Sequence, residues 1–146
     1  MKSSDLVLLR ISSILWVIWG LVHILAGVMV MTTDTTAGVQ AIADGVDPET
    51  LVAEYPAAAG AILNQHAWNL AWVGAVTTIG GVFIWRKNRT SIWVTGMIGG
   101  LTDLGYFLFL DLGGFVRFVP GTVMTIVSSL AIVLSFKVWI TRRPNG

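Results

Sequence analysis

Cysteine is absent from this sequence of 146 residues, and charged residues are scarce. Without cysteine the chain cannot form disulfides, iron–sulfur clusters, thiolate metal sites or thiol redox relays. Charged residues make up 12% of the chain, against about 25% in a typical soluble domain. Hydrophobic residues make up 55%, so the charges are too few to cover a water-facing surface. We therefore expect most of the apolar surface to face lipid.

Four apolar stretches are each close to the ~20 residues that cross a bilayer as a helix. Their apolar residues do not alternate with a period of two, which argues against strands, and a helix satisfies its own backbone hydrogen bonds in lipid. The first stretch is too long for a signal peptide and no Ala-x-Ala site follows it, so we expect it to be retained. The sequence predicts one domain over residues 1–146, an all-α membrane protein folded as an up-down bundle of four transmembrane helices. The predicted spans are residues 11–31, 61–85, 92–112 and 119–140.

The basic residues lie mainly on one side of this layout. The opposite side contains only Arg117. The positive-inside rule therefore places both termini in the cytoplasm and residues 32–56 outside, in a multi-pass membrane protein. The basic residues on the predicted cytoplasmic side are Lys2, Arg10, Arg86, Lys87, Arg89, Lys137, Arg142 and Arg143.

The predicted outer loop, residues 32–56, contains five acidic residues and no basic residue. Asp47, Pro48 and Glu49 are typical of a helix start, so we expect a short helix over residues 48–55. A second short helix is expected over residues 36–43. The loop has three interpretations: a solvated connector, a lid over the outer end of the bundle, or an acidic surface that attracts cations.

Small residues predict where the spans pack closely, and tryptophans predict where they meet the membrane surface. The GxxxG pair Gly96 and Gly100 is interpreted as a packing seam, with a homodimer face as the alternative. The other predicted seams are Gly20 with Gly27, and Ala67 with Ala71 and Ala75. Trp85, Trp93 and Trp139 suit an interfacial belt, whereas Trp16, Trp19, Trp68 and Trp72 lie deeper and either line a pocket, pack or face lipid.

Three ionisable side chains, His23, His66 and Asp103, lie within the predicted spans. Such groups are costly in lipid and are therefore functional candidates. At 1.5 Å per residue, His23 and Asp103 lie roughly 20 Å from the basic cytoplasmic anchors, in the outer half of the bilayer. His66 lies roughly 30 Å from its anchor, near the outer surface. We predict an outward-facing polar pocket around them. Its predicted ligand-binding residues are His23, His66, Asn69, Asp103, Trp19, Tyr106, Thr122 and Thr125.

The chemistry of this pocket has several interpretations. If the protein is an enzyme, His23 and Asp103 are the catalytic candidates, because a carboxylate beside an imidazole fixes its tautomer and raises its basicity. His23, His66 and Asp103 also form the minimal set for a non-haem metal. No two of them lie one turn apart on the same helix, so we predict no metal, no haem and no other cofactor. In the remaining interpretation they only hydrogen-bond neighbouring helices. Asp111 and Arg117, at the short outer turn, are expected to pair with each other.

The length, the four-span layout and the segment Trp19-Gly20-Leu21-Val22-His23 resemble the small bacterial four-helix membrane proteins grouped around the DoxX-like families. This resemblance implies an integral protein of the bacterial inner membrane (the cell membrane) with the predicted fold. Many members of these families are uncharacterised, so the resemblance implies no catalytic residues.

Three functions are consistent with the sequence. The first is a small membrane protein that binds a small or lipid-like ligand, or a partner subunit, in the polar pocket. The second is a small membrane enzyme with a His/Asp acid–base pair or a metal site, and the third is a dimeric proton-coupled transporter. The expected partners are the lipid bilayer and a homodimer or larger membrane complex. Nucleic-acid binding is not expected, because the basic residues form no groove-sized patch.

Overall fold

The computed structural model describes residues 3–141, so Lys2, Arg142 and Arg143, used above to predict orientation, lie outside the described residues. All regular secondary structure in this part of the chain is helical. A 3₁₀ turn covers Pro48–Leu51 and a π-helical turn covers Phe107–Asp111. The segment Phe118–Thr122 leads into α5 and is kinked at Val119, whose backbone is extended. The α-helices are α1 (Ser3–Met31), α2 (Thr35–Ile42), α3 (Ala57–Trp85), α4 (Arg89–Tyr106) and α5 (Val123–Thr141).

Within residues 3–141, four helical stretches are long and apolar enough to cross a membrane, as predicted. The first two predicted spans, which begin at residues 11 and 61, start several residues after the helices themselves. Helix α1 begins at Ser3, and α3 begins directly after Pro56. An apolar run marks only the part of a helix that lies in hydrocarbon. The helix itself continues beyond that run, because its backbone hydrogen bonds do not require apolar side chains. The four stretches are Ser3–Met31, Ala57–Trp85, Arg89–Asp111 and Phe118–Thr141.

Helices α1 and α3 pack closely. They run in opposite directions, because early residues of α1 contact late residues of α3. Ser13 Oγ donates to Gly81 O (2.6 Å) near the start of α1. Further along α1, Gly27 lies against the backbone of Ala67, and a Cβ there would collide with it. Small residues allow this approach, as the sequence predicted for this seam.

The other contacts complete the bundle. Helix α5 packs against α1 and α4, and α3 also packs against α4. Ser12 Oγ donates to Ala131 O (2.7 Å) and joins α1 to α5. A Cβ on Gly96 or Gly100 of α4 would contact Ile132 of α5, so this GxxxG pair packs within the chain. Trp16, fully buried, lies at the centre.

Basic and aromatic side chains gather at one end of the bundle. The guanidinium of Arg10 lies 5.2 Å from the centre of the Trp85 ring. Arg89 lies 5.8 Å from the Trp139 ring and its Nη2 donates to Trp139 O (3.3 Å). Trp93 packs edge-to-face on Trp139, with ring centres 5.4 Å apart. These contacts connect α1 to α3 and α4 to α5 at this end.

Residues 32–56 fold over the other end of α1 and α3. Asp34 Oδ1 accepts from Ala37 N (2.9 Å) and caps α2, close to the predicted helix over 36–43. The helix predicted over 48–55 is only the turn Pro48–Leu51, capped by Asp47. Val52 is already extended, and Pro56 restricts the residue before it to extended conformations.

Two backbone donors tie this loop to the connection between α4 and α5. Gly45 N donates to Phe115 O (3.0 Å), and Arg117 N donates to Asp44 Oδ1 (2.8 Å). A Cβ on Gly45 would lie 2.7 Å from the backbone of Val116, so glycine is needed for this close approach. The loop is therefore held in place over the bundle.

Candidate functional site

A cavity of about 410 Å³ lies between α1, α3, α4 and α5, next to α2. Its volume is in the range of small-molecule pockets, roughly 300–1,000 Å³. Apolar side chains such as Val22, Leu70 and Met124 form most of its wall. The polar groups on the wall are His23, Asp44, His66, Asp103 and Tyr106.

Asp103 is positioned by a buried tryptophan. Trp19 Nε1 donates to Asp103 Oδ2 (2.9 Å), and the Trp19 side chain is fully buried. Ser128 of α5 is buried as well, and its Oγ donates to Thr125 O (3.1 Å) of its own helix. A single hydrogen bond therefore joins α1 to α4 at the cavity floor, with α5 beside it.

His23 stacks on the same tryptophan. The His23 and Trp19 ring centres are 3.6 Å apart, and the ring planes differ by 21°. His23 Nδ1 lies 2.8 Å from Trp19 O. A carbonyl oxygen only accepts hydrogen bonds, so Nδ1 carries the proton, and Nε2 of the neutral ring is an acceptor.

The direct pair considered for His23 and Asp103 is not formed. Trp19 contacts both groups instead: its ring stacks on His23, and its indole N–H donates to Asp103. Over residues 3–141, no hydrogen bond or ion pair joins His23 to Asp103. The reason is that Trp19, which is fully buried, itself reaches from α1 to the Asp103 carboxylate of α4. Trp19 itself lies behind His23 and does not line the cavity.

His66 and Tyr106 complete the polar wall. Gly27 lies between Ala67 and Ala71, and Gly74 lies between Gly20 and Ile24. His23 is therefore level with about Val73, and His66 lies about 10 Å further along the bundle, at 1.5 Å per residue. His66 is exposed at the cavity rim, on the cavity shared with His23 and Asp103. The Tyr106 hydroxyl lies against Gly121, where a Cβ would collide with it.

Asn69 does not line this cavity. It lies in a separate shallow depression, where its Oδ1 accepts from Trp72 Nε1 (3.0 Å). Successive residues of a helix are rotated by about 100°, so the fourth residue after His66, Leu70, continues the cavity face. Asn69, three residues after His66, falls on the other side of that face.

Thr122 and Thr125 also lie off the cavity wall. Thr122 Oγ1 donates to Asp111 Oδ1 (2.6 Å), and Thr125 Oγ1 lies 3.4 Å from Asp111 Oδ2. These hydroxyls satisfy the Asp111 carboxylate at the start of α5. Asp111 therefore bonds to threonines, and the expected pair with Arg117 is not formed.

Metal-binding side chains do not converge in the described part of the chain. No group of three or more His, Cys, Asp or Glu side chains there could hold a metal ion. His23, His66 and Asp103 share a cavity without forming such a group.

Asp44 is the polar residue of the cavity wall that was not predicted from the sequence. It follows α2, where the chain turns towards the bundle, and the acidic loop had been interpreted as a unit. The helix start at Asp34 could have indicated this position. A short helix that begins there ends just before Asp44, and the chain then lies over the end of the bundle. The wall contributed by Ala41, Ile42 and Asp44 is the contact between the loop and the cavity.

No family model matches this chain, and no curated protein or solved structure is significantly similar to it. The resemblance to DoxX-like proteins therefore remains an expectation from the sequence.

Proposed function

We propose that this chain is a multi-pass membrane protein that binds a small, mainly apolar ligand with a polar head group. The observation that carries this proposal is the cavity itself, with mostly apolar walls and a few polar side chains from α1, α3 and α4. A large apolar pocket with a few convergent polar groups is the usual form of a ligand site.

The proposed placement is an up-down bundle in the cell (inner) membrane with both termini in the cytoplasm. The end where Arg10, Arg89 and the interfacial tryptophans gather is proposed to face the cytoplasm. The cavity, near the other end, then opens in the outer half of the bilayer. In this placement the loop over residues 32–56 acts as the lid, because Ala41, Ile42 and Asp44 lie on the cavity wall.

Binding is favoured over catalysis and transport by two contacts. Asp103 is engaged by Trp19 rather than by His23, so the proposed acid–base pair lacks its hydrogen bond. The GxxxG pair of α4, which was the candidate dimer face, is occupied by Ile132 of α5. Both observations support a pocket within one chain.

Filling the cavity tests this proposal. Ala26, on the cavity wall, is replaced by Phe, and Ala61, which is exposed on α3 and off the wall, receives the same substitution as a control. Binding of tritiated decanol to protein in lipid nanodiscs is measured, with empty nanodiscs as background. We expect Ala26→Phe to weaken binding at least about tenfold, which is ~1.4 kcal/mol, and Ala61→Phe to leave it unchanged. Equal binding by wild type and Ala26→Phe, or no binding above empty nanodiscs, would refute the proposal.

A further inference from the structure

The charged groups on the cavity wall have one sign. Asp103 of α4 and Asp44 of the loop both line the cavity, and no Lys or Arg side chain within residues 3–141 does. Arg117 contacts Asp44 through its backbone N–H, and its side chain is not part of the wall. Both carboxyl groups line this same cavity, together with Tyr106. A cleft lined by one sign of charge, with low-dielectric walls, attracts ligands of the opposite charge.

The wall also offers more hydrogen-bond acceptors than donors. Asp103 uses one oxygen for Trp19 Nε1, and Asp44 uses one for Arg117 N, which leaves acceptor capacity on each carboxylate. His23 adds Nε2 as a further acceptor, because its Nδ1 proton is directed to Trp19 O. The polar group that matches this wall donates several hydrogen bonds.

The apolar part of the wall continues to the lipid-facing side of α1. Leu25 and Met29 line the cavity, and 61% and 51% of their surfaces are exposed. An alkyl chain lying along these residues extends from the cavity towards the hydrocarbon. The ligand body that fits is therefore a flexible aliphatic chain.

We infer that the cavity binds lipophilic primary amines, with the ammonium group between Asp103 and Asp44 and the alkyl chain along α1. This inference rests on the proposed function and specifies the ligand class. A primary ammonium supplies both the positive charge and three N–H donors. An alcohol supplies one donor without charge, and a carboxylate has the wrong sign.

The test compares ligands that share a ten-carbon chain. Tritiated decylamine and tritiated decanol are titrated into wild-type protein in neutral-lipid nanodiscs at neutral pH, with empty nanodiscs as background. Unlabelled decyltrimethylammonium and decanoate are used as competitors. We expect decylamine to bind at least about tenfold more tightly than decanol, decyltrimethylammonium to compete more weakly than decylamine, and decanoate not to compete.

Carboxylate variants locate the ammonium group. Asp103→Asn and Asp44→Asn keep an acceptor for Trp19 and for Arg117 N and remove only the charge. Decanol binding is measured on the same variants, so that any effect on the uncharged ligand is subtracted from the effect on decylamine. Each variant should weaken decylamine binding at least about tenfold. Asp47→Asn is the matched control, because Asp47 lies in the same loop, caps Pro48–Leu51 and is not on the wall. Asp47→Asn should change the affinity for neither decylamine nor decanol.

The outcomes separate the two proposals. If decanol and decylamine bind equally and Ala26→Phe weakens both, the cavity binds ligands but the amine inference is wrong. The amine inference is also wrong if Asp103→Asn and Asp44→Asn bind decylamine with the same affinity as the wild type. If neither ligand binds above empty nanodiscs, the proposed function fails and the inference fails with it.

Discussion

Trp19 organises the polar side chains at the cavity floor. Its indole N–H donates to Asp103, its ring stacks on His23, and its carbonyl accepts from His23 Nδ1.

Trp19→Phe keeps a ring for stacking but removes the hydrogen-bond donor to Asp103, which is only 4% exposed. Because an unsatisfied buried group is costly, we expect the free energy of unfolding to fall by about 1–3 kcal/mol. Unfolding in mixed detergent micelles measures this change. The control is Trp68→Phe, since Trp68 is 61% exposed, and a surface substitution should change stability by less than about 0.5 kcal/mol. Equal losses in the two variants would show that the indole N–H of Trp19 contributes nothing.

At the same scale, the sequence identified the ionisable residues but not their partners. His23, His66 and Asp103 were recognisable because they interrupt apolar runs. Their hydrogen bonds depend on how each helix is rotated about its axis. That rotation follows from contacts between helices, which the pattern within one span does not determine. For this reason Asp103 was expected beside His23 and lies instead on Trp19, and Asn69 was placed on a cavity wall that Leu70 occupies.

Among the elements, the seam between α1 and α3 determines how those two spans are rotated. A Cβ on Gly27 would collide with Ala67 O and lie 2.8 Å from Ala71 N, which are backbone atoms that cannot move independently. Gly27→Ala should therefore separate the helices and destabilise the protein by about 1–3 kcal/mol, as overpacking does. Detergent unfolding monitored by circular dichroism measures this effect. Gly105→Ala in α4 is the matched control, because a Cβ there meets nothing within 4 Å, and helix propensity favours Ala over Gly by up to about 1 kcal/mol. The assignment of this seam would be wrong if Gly27→Ala were as stable as Gly105→Ala.

The elements themselves were largely predictable, because long apolar runs have few alternatives to membrane-spanning helices. Their ends were less predictable. The helix expected over 48–55 is reduced to Pro48–Leu51, because the chain must extend before Pro56 to reach α3. Conversely, α1 continues through Arg10 to Ser3, since a charged side chain is compatible with a helix that leaves the hydrocarbon.

At the scale of the whole molecule, the charges separate along the bundle axis. The basic and aromatic cluster around Arg10 and Arg89 lies at one end, whereas the acidic loop over residues 32–56 covers the other. The orientation proposed from this asymmetry decides whether the cavity is reached from outside the cell, and therefore where its ligand originates. Because the chain has no cysteine, a single introduced thiol reports its own side of the membrane without background.

Glu54→Cys and Thr90→Cys test this orientation as a pair. Both positions are exposed, the first in the loop over residues 32–56 and the second in the first turn of α4. Neither substitution changes the number of basic residues, and acidic residues contribute little to orientation, so topology should be preserved. In intact cells, a membrane-impermeant maleimide should label Glu54→Cys, whereas Thr90→Cys should be labelled only after permeabilisation. If only Thr90→Cys is labelled in intact cells, the orientation is the opposite of the proposed one, and the cavity mouth lies on the cytoplasmic side. Labelling of both positions in intact cells would mean that the chain inserts in two orientations, in which case the charge asymmetry does not determine the topology.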